Sequence, residues 1–334
     1  MELLGVRFKG ILLGLSCILV LLACNSDQKT SAGVEEPKEI KLISPDFNAD
    51  SAYAYTKAQV DFGPRIPSTE AHSKCAAYLQ KKLTAFGGTV FVQQAKVQTY
   101  DGKSHQLKNI IAAFYPEKKQ RILLTAHWDS RPFSDQDADA LNRDKPFDAA
   151  NDGASGVAVI LEMARQIQLK QPQVGVDFIL WDIEDYGKAD DQTEQETTWC
   201  IGSQYWVKNQ PVKGYQPLYA INLDMVGGSN AQFAMDEVSR KYAPHVLQKV
   251  WATADEIGYS NYFINLNAGN LIDDHYWVNQ AGIPCIDIIH YTDATGFYKN
   301  WHTQFDNLAN IDRNTLKAVG QVVLETLYRE KPSI

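Results

Sequence analysis

The chain carries four short runs that are apolar at nearly every position: Ile122-Leu123-Leu124-Thr125-Ala126, Val176-Asp177-Phe178-Ile179-Leu180-Trp181, Ala220-Ile221-Asn222-Leu223 and Cys285-Ile286-Asp287-Ile288-Ile289. Each has the length of a strand and lacks the alternation that one wet face would impose, so burial on both faces is expected. Such burial arises where helices cover a largely parallel sheet. Helical patterns separate the runs. Residues 69–86 place Ala76, Leu79, Leu83 and Phe86 on one side and stop at Gly87-Gly88, and further helices are predicted at about 154–168, 239–257 and 312–329. With two more strands at 90–97 and 109–114, the expected fold class is α/β: three layers, with helices flanking a mostly parallel, mixed central sheet.

Open α/β sheets receive ligands at the carboxyl ends of their strands, and the ionisable clusters of this chain fall there. His127 and Asp129 follow the first run, Asp152 stands in Ala150-Asn151-Asp152-Gly153, Glu184-Asp185 follow the second run and Asp224 the third. Asp273-Asp274-His275 and Trp301-His302-Thr303 complete the set. Acids buried without partners are costly, and one shared metal ion would partner them all. Carboxylates with imidazole and no thiolate suit zinc, or another divalent ion, in a site that keeps an open position. Asp152, Asp185 and His302 are the expected ligands. Glu184 and Asp185 are adjacent, so on an extended segment their side chains diverge, and one can bind metal while the other reaches substrate. For Asp152, capping the next helix is the alternative the sequence leaves open. His105, His245 and His290 lack acidic company and read as surface or packing residues, as does His72 on its predicted helix.

The N-terminus carries an address. Arg7 and Lys9 precede an apolar run from Ile11 to Leu22 that ends at Ala23-Cys24. The run is about a dozen residues, short of the roughly 20 that span a bilayer, and has the layout of a signal peptide. Leu21-Leu22-Ala23-Cys24 resembles a bacterial lipobox, which makes Cys24 an acylated first mature residue. The expected organisation is a lipoprotein signal peptide over 1–23, a polar flexible tether over 24–46 and one catalytic α/β domain over 47–334. This places the protein as a lipoprotein of the cell envelope on the periplasmic face, or exposed on the surface, and as a monomer. A net charge of -8 and the absence of a Lys/Arg run argue against nucleic acid. Cys75, Cys200 and Cys285 read as structural thiols, with a disulfide between two of them left open.

The segments Ala126-His127-Trp128-Asp129-Ser130, Asn151-Asp152-Gly153, Asp182-Ile183-Glu184-Asp185, Leu223-Asp224-Met225, Asp273-Asp274-His275 and Trp301-His302-Thr303 occur in the order found in the zinc aminopeptidase-like superfamily. A zinc exopeptidase-like fold is therefore expected. Within that superfamily the chain resembles glutaminyl-peptide cyclotransferases (glutaminyl cyclases) of the animal type, in the form found in lipoproteins of the Bacteroidales. The resemblance implies one Zn2+ per chain, held by Asp152, Asp185 and His302. It implies Glu184 as the acid/base residue, Asp224 and Asp273 as the aspartates of the hydrogen-bonded network beside it, and Trp301 and Phe297 as aromatic walls for substrate. The implied reaction is an acyl transfer in which the N-terminal glutamine of peptides and proteins becomes pyroglutamate and ammonia leaves. His127 matches a ligand of the second metal in two-zinc aminopeptidases, so hydrolysis of N-terminal residues is the alternative, and Trp301 before His302 favours the cyclase. Asp185 stands where the animal enzymes carry Glu.

Overall fold

The computed structural model describes residues 41–189 and 198–332. The expected signal peptide, Cys24 and nearly all of the tether lie outside these residues, as does the middle of the acidic segment 186–199. Ten strands follow in chain order: β1 (Thr89–Gln98), β2 (Ser104–Phe114), β3 (Arg121–His127), β4 (Gly175–Trp181), β5 (Ala220–Asp224), β6 (Phe233–Met235), β7 (Phe263–Asn267), β8 (Cys285–Ile289), β9 (Tyr291–Thr292) and β10 (Gly296–Phe297). The larger sheet has the order β1-β2-β4-β3-β5-β8. Its β4/β3, β3/β5 and β5/β8 pairs are parallel, and its β1/β2 and β2/β4 pairs are antiparallel.

The four apolar runs are the adjacent strands β4, β3, β5 and β8, the parallel part of this sheet with β8 at its edge, and alternate residues enter two different cores. Ile122, Leu124 and Ala126 join Val176, Phe178, Leu180, Ile221 and Leu223 on one face. Leu123 joins Ile179, Trp181, Ala220 and Cys285 on the other. Every buried Leu or Ile contributes roughly 1.5–3 kcal/mol, so neither face can be left wet. Helices α1 (Ala49–Val60), α2 (Glu70–Ala85), α3 (Ala154–Leu169) and α8 (Arg313–Arg329) supply the larger core, with α6 (Pro244–Glu256). The smaller core is covered by α4 (Ile201–Lys208) through Trp206 and α7 (Asp274–Gln280) through Val278. Of the polar residues that interrupt the runs, Thr125, Asn222 and Asp287 satisfy one another, while Asp177 pairs with Arg121 and Tyr215. Thr125 Oγ1 donates to Asn222 Oδ1 at 2.7 Å, and Asn222 Nδ2 donates to Asp287 Oδ1 at 3.2 Å.

Two expectations from sequence need correction, one sheet was not foreseen, and one question left open is answered. The helix predicted over 239–257 is two helices, α5 (Glu237–Tyr242) and α6, because Pro244 has no N–H to donate and Ala243 leaves helical geometry at φ -135°. A second sheet, β10-β9-β6-β7, was not anticipated, since strands of two to five residues carry too little pattern. The tether expected up to residue 46 docks earlier: the N–H groups of Ile43 and Ser44 donate to the Glu325 carboxylate, at 3.0 and 2.9 Å to Oε2. Cys75, Cys200 and Cys285 are all buried and free, so no two of them form a disulfide. Among the described residues no helix is long and apolar enough to cross a membrane.

Candidate active site

Three parallel strands end side by side and deliver the acids. β3 ends at His127, and two residues later the buried Asp129 reaches across to the chain leaving β4. Its Oδ1 accepts the N–H of Glu184 at 3.1 Å, and its Oδ2 accepts that of Asp185 at 3.2 Å. The segment is not extended as expected. Ile183 has φ +56°, a left-handed turn that aims the next two side chains at different groups. Glu184 Oε2 lies 3.7 Å from His127 Nδ1, while Asp185 Oδ1 lies 3.0 Å from His302 Nε2.

Asp152 completes the centre from the loop before α3. It is not a helix cap: Gly153 holds that position and no side chain caps the helix. Asp306 secures the loop by accepting the N–H of Asn151 at 2.7 Å and of Asp152 at 3.1 Å. Gly153 has no room for a side chain, since a Cβ would fall 2.3 Å from His127 Nε2. Asp152 Oδ2 then stands 3.4 Å from His302 Nε2. One ligand atom from each of Asp152, Asp185 and His302 lies within 4.8 Å of the others, as do ligand atoms of His127, Asp152 and Asp224.

The first trio fits a metal ion on the chemistry of its donors. Asp152 Oδ2 and Asp185 Oδ1 are buried and accept no hydrogen bond, yet both face the imidazole of His302. Two buried carboxylates and one imidazole with free lone pairs aimed at one point are a zinc-type donor set. The protonation pattern follows from the same crowding. Burial and the Asp152 charge push Asp185 up to about 6. Burial, opposed by His127, brings Asp224 to about 7. Burial lowers His302, but the carboxylates of Asp185, Asp135 and Asp152 outweigh it and raise the ring to about 10. Burial also raises Asp152, where the neighbouring imidazoles of His127 and His302 prevail and hold it below the ordinary carboxylate range. A cation at the centre would take the place of these protons. Burial, reinforced by Asp185, Asp273 and Asp274 against His127, pushes Glu184 well above the usual carboxylate range.

Above this centre is a cavity of about 130 Å³, lined among others by Glu184, Asp224, Asp273, Phe297, Trp301 and His302. Trp301 stacks on His302 with centroids 3.9 Å apart, and Phe297 lies 4.6 Å from Trp301. Trp199, which the sequence did not single out, runs parallel to His302 at 6.2 Å and 7°. Cys200 was also missed as a site residue: its Sγ donates to Glu184 Oε1 at 3.4 Å. Asp273 is held by Asn222 Nδ2 at 2.9 Å and by the N–H of Asp274, which it caps. Asp224 instead approaches His127 Nε2 at 3.2 Å. His72 is no surface histidine. It is fully buried, stacked on Trp128 at 4.3 Å, with Nε2 2.8 Å from Asp182 Oδ1.

Known proteins share this framework. The profile of Peptidase family M28 matches residues 109–327. A Bacteroides thetaiotaomicron glutaminyl cyclase, solved with N-acetylhistamine bound, is 49% identical at a TM-score of 0.84, over 86% of this chain and 100% of its own. A Zn-dependent exopeptidase from Parabacteroides distasonis is also 49% identical, at a TM-score of 0.83 and the same coverage. Sequence similarity extends to aminopeptidase YwaD of Bacillus subtilis, 26% identical over 245 residues and 70% of this chain. The chain spans 46% of YwaD and 66% of the Bos taurus glutaminyl-peptide cyclotransferase, which is 25% identical. The chain belongs to peptidase family M28.

Proposed function

We propose that this chain is a zinc-dependent glutaminyl-peptide cyclotransferase that closes the N-terminal glutamine of peptides and proteins to pyroglutamate. The observation that carries this reading is the aromatic wall of Phe297 and Trp301 laid directly on His302, over a cavity of about 130 Å³ that suits one folded-back side chain. An uncharged glutamine side chain packs well against such walls. The full-length likeness to a glutaminyl cyclase at 49% identity supports it.

Asp152, Asp185 and His302 would hold one Zn2+, which when bound supplies Lewis-acid polarisation of the glutamine carbonyl. Trp301 and Phe297 hold the side chain folded toward its own amine, which makes attack intramolecular. The α-nitrogen forms a bond to the side-chain carbonyl carbon, and the bond from that carbon to the amide nitrogen breaks. Glu184 takes a proton from the attacking nitrogen and delivers it to the departing one, so ammonia leaves and no water is consumed. Asp273, fixed by Asn222, faces the same cavity and orients the amide nitrogen, with Asp224 beside it. The test is ammonia release from Gln-peptides after zinc is stripped and restored. Loss and recovery are expected, and release of free amino acids from Leu-peptides without ammonia would sink the proposal.

The convergence of His127, Asp152 and Asp224 favours a second reading, a two-metal aminopeptidase. Bound zinc per chain separates the two, with one expected for the cyclase. The protein is further proposed to be a monomer anchored in the cell envelope through acylated Cys24, facing the periplasm or the outer surface. Metabolic palmitate labelling that survives in Cys24→Ala would refute the anchor.

A further inference from the structure

The loop after β3 carries Arg131 and Asp135, neither of which enters the reaction above. Arg131 is fully buried, and its hydrogen bonds run to both sides of the metal trio. Its N–H donates to Asp185 Oδ2 at 3.1 Å, and Nη1 donates to the Asp185 and Gly187 carbonyls at 3.1 and 3.0 Å. Nε and Nη2 grip Asp135 as a fork, at 3.0 Å to Oδ1 and 2.7 Å to Oδ2. Asp135 Oδ1 in turn lies 3.1 Å from His302 Nδ1, a contact of opposite charges without hydrogen-bond alignment. The groups form a closed ring of alternating charge: Asp185, Arg131, Asp135, His302 and back to Asp185 at 3.0 Å. The guanidinium face is packed between Phe133 at 4.3 Å and Trp199 at 4.7 Å, so the fork cannot rotate away.

We propose that Asp135, clamped by Arg131, is a positioning residue for the metal centre: it holds the proton of His302 on Nδ1 and so keeps the Nε2 lone pair turned to the ion. His302 needs such a holder, because it sits in left-handed backbone geometry at φ +52° and its chain is tied down nearby by Gln136, whose N–H donates to the His302 carbonyl at 3.2 Å. A carboxylate on the far nitrogen fixes tautomer and ring orientation and raises the basicity of the ligating nitrogen. Arg131 acts one step further out. By gripping Asp185 directly and His302 through Asp135, it keeps two ligands of different chain segments in register.

The proposal rests on His302 being a metal ligand, and the experiment separates the two claims. Zinc affinity is measured by competition with a chromophoric chelator for the wild type, Asp135→Asn and Asp135→Ala, alongside the melting temperature of each metal-free protein. His302→Ala, measured in the same way, tests the ligand assignment: zinc affinity equal to wild type would remove His302 from the ligands. For Asp135→Asn, which keeps the shape of the side chain, zinc affinity about 10–100-fold weaker is expected with the metal-free melting temperature close to wild type. Zinc affinity within twofold of wild type in Asp135→Asn would overturn the proposal, whatever becomes of Asp135→Ala.

Discussion

Trp301 lies flat on the ring of His302, 3.9 Å between centroids and 27° between planes. One face of the indole therefore covers the ring of His302, and both residues line the cavity. Trp301→Ala is expected to lower kcat/KM for Gln-peptides about 10–100-fold, mostly through KM, because it removes a wall of the substrate pocket and no ligand atom. Zinc affinity should change less than twofold. Steady-state ammonia release and chelator competition check both halves.

Glu184 is one of the acids that line the cavity outside the trio of Asp152, Asp185 and His302. Glu184→Gln keeps its shape and removes its proton chemistry. We expect kcat to fall about 10²–10⁴-fold with KM and zinc content nearly unchanged. A variant that retains a tenth of wild-type turnover would take the proton-transfer role away from this residue.

His290 stands apart from the site, tilted against Tyr298 at 5.3 Å, with a buried Nδ1 that makes no hydrogen bond. Burial lowers it to about 4 from an ordinary 6.5. As pH falls below 6.5 the unfolded chain takes up this proton first, so stability is lost between about pH 6.5 and pH 4 and the loss levels off below that. The contribution is at most about 3 kcal/mol. Urea unfolding at pH 7 and pH 4 should show His290→Phe with a smaller drop than wild type. Equal drops would mean that His290 is protonated in the fold.

Gly320 in α8 faces Phe47, and a Cβ there would fall 2.3 Å from the ring. Gly320→Ala is expected to destabilise by about 1–3 kcal/mol through overpacking, despite the better helix propensity of Ala. A lower melting temperature, with faster proteolysis near residue 47, is the readout.

The sheet was legible because its parallel strands are apolar at nearly every position, and the acids at their ends pointed to the site. Pairings between distant segments were not legible. Asp306 serves Asp152 across more than 150 residues of chain, and Arg131, Asp135 and Trp199 matter only through partners that a local window never contains. For His72 the packing alternative holds, and only its partner Asp182 was out of reach. His72 precedes Ala76 by four and Leu79 by seven, on the apolar stripe of α2, and that spacing marked it as buried. The anchoring of Asp273 by Asn222 was out of reach because Asn222 looked like one more residue of an apolar run.

Asp129 has a consequence for how such a centre can vary. It grips Glu184 and Asp185 by their backbone N–H groups and touches neither side chain's chemistry. The spacing of these two positions is thus a property of the main chain rather than of rotamers. Side chains at these two positions can be exchanged for longer or shorter ones while the frame that spaces them stays the same.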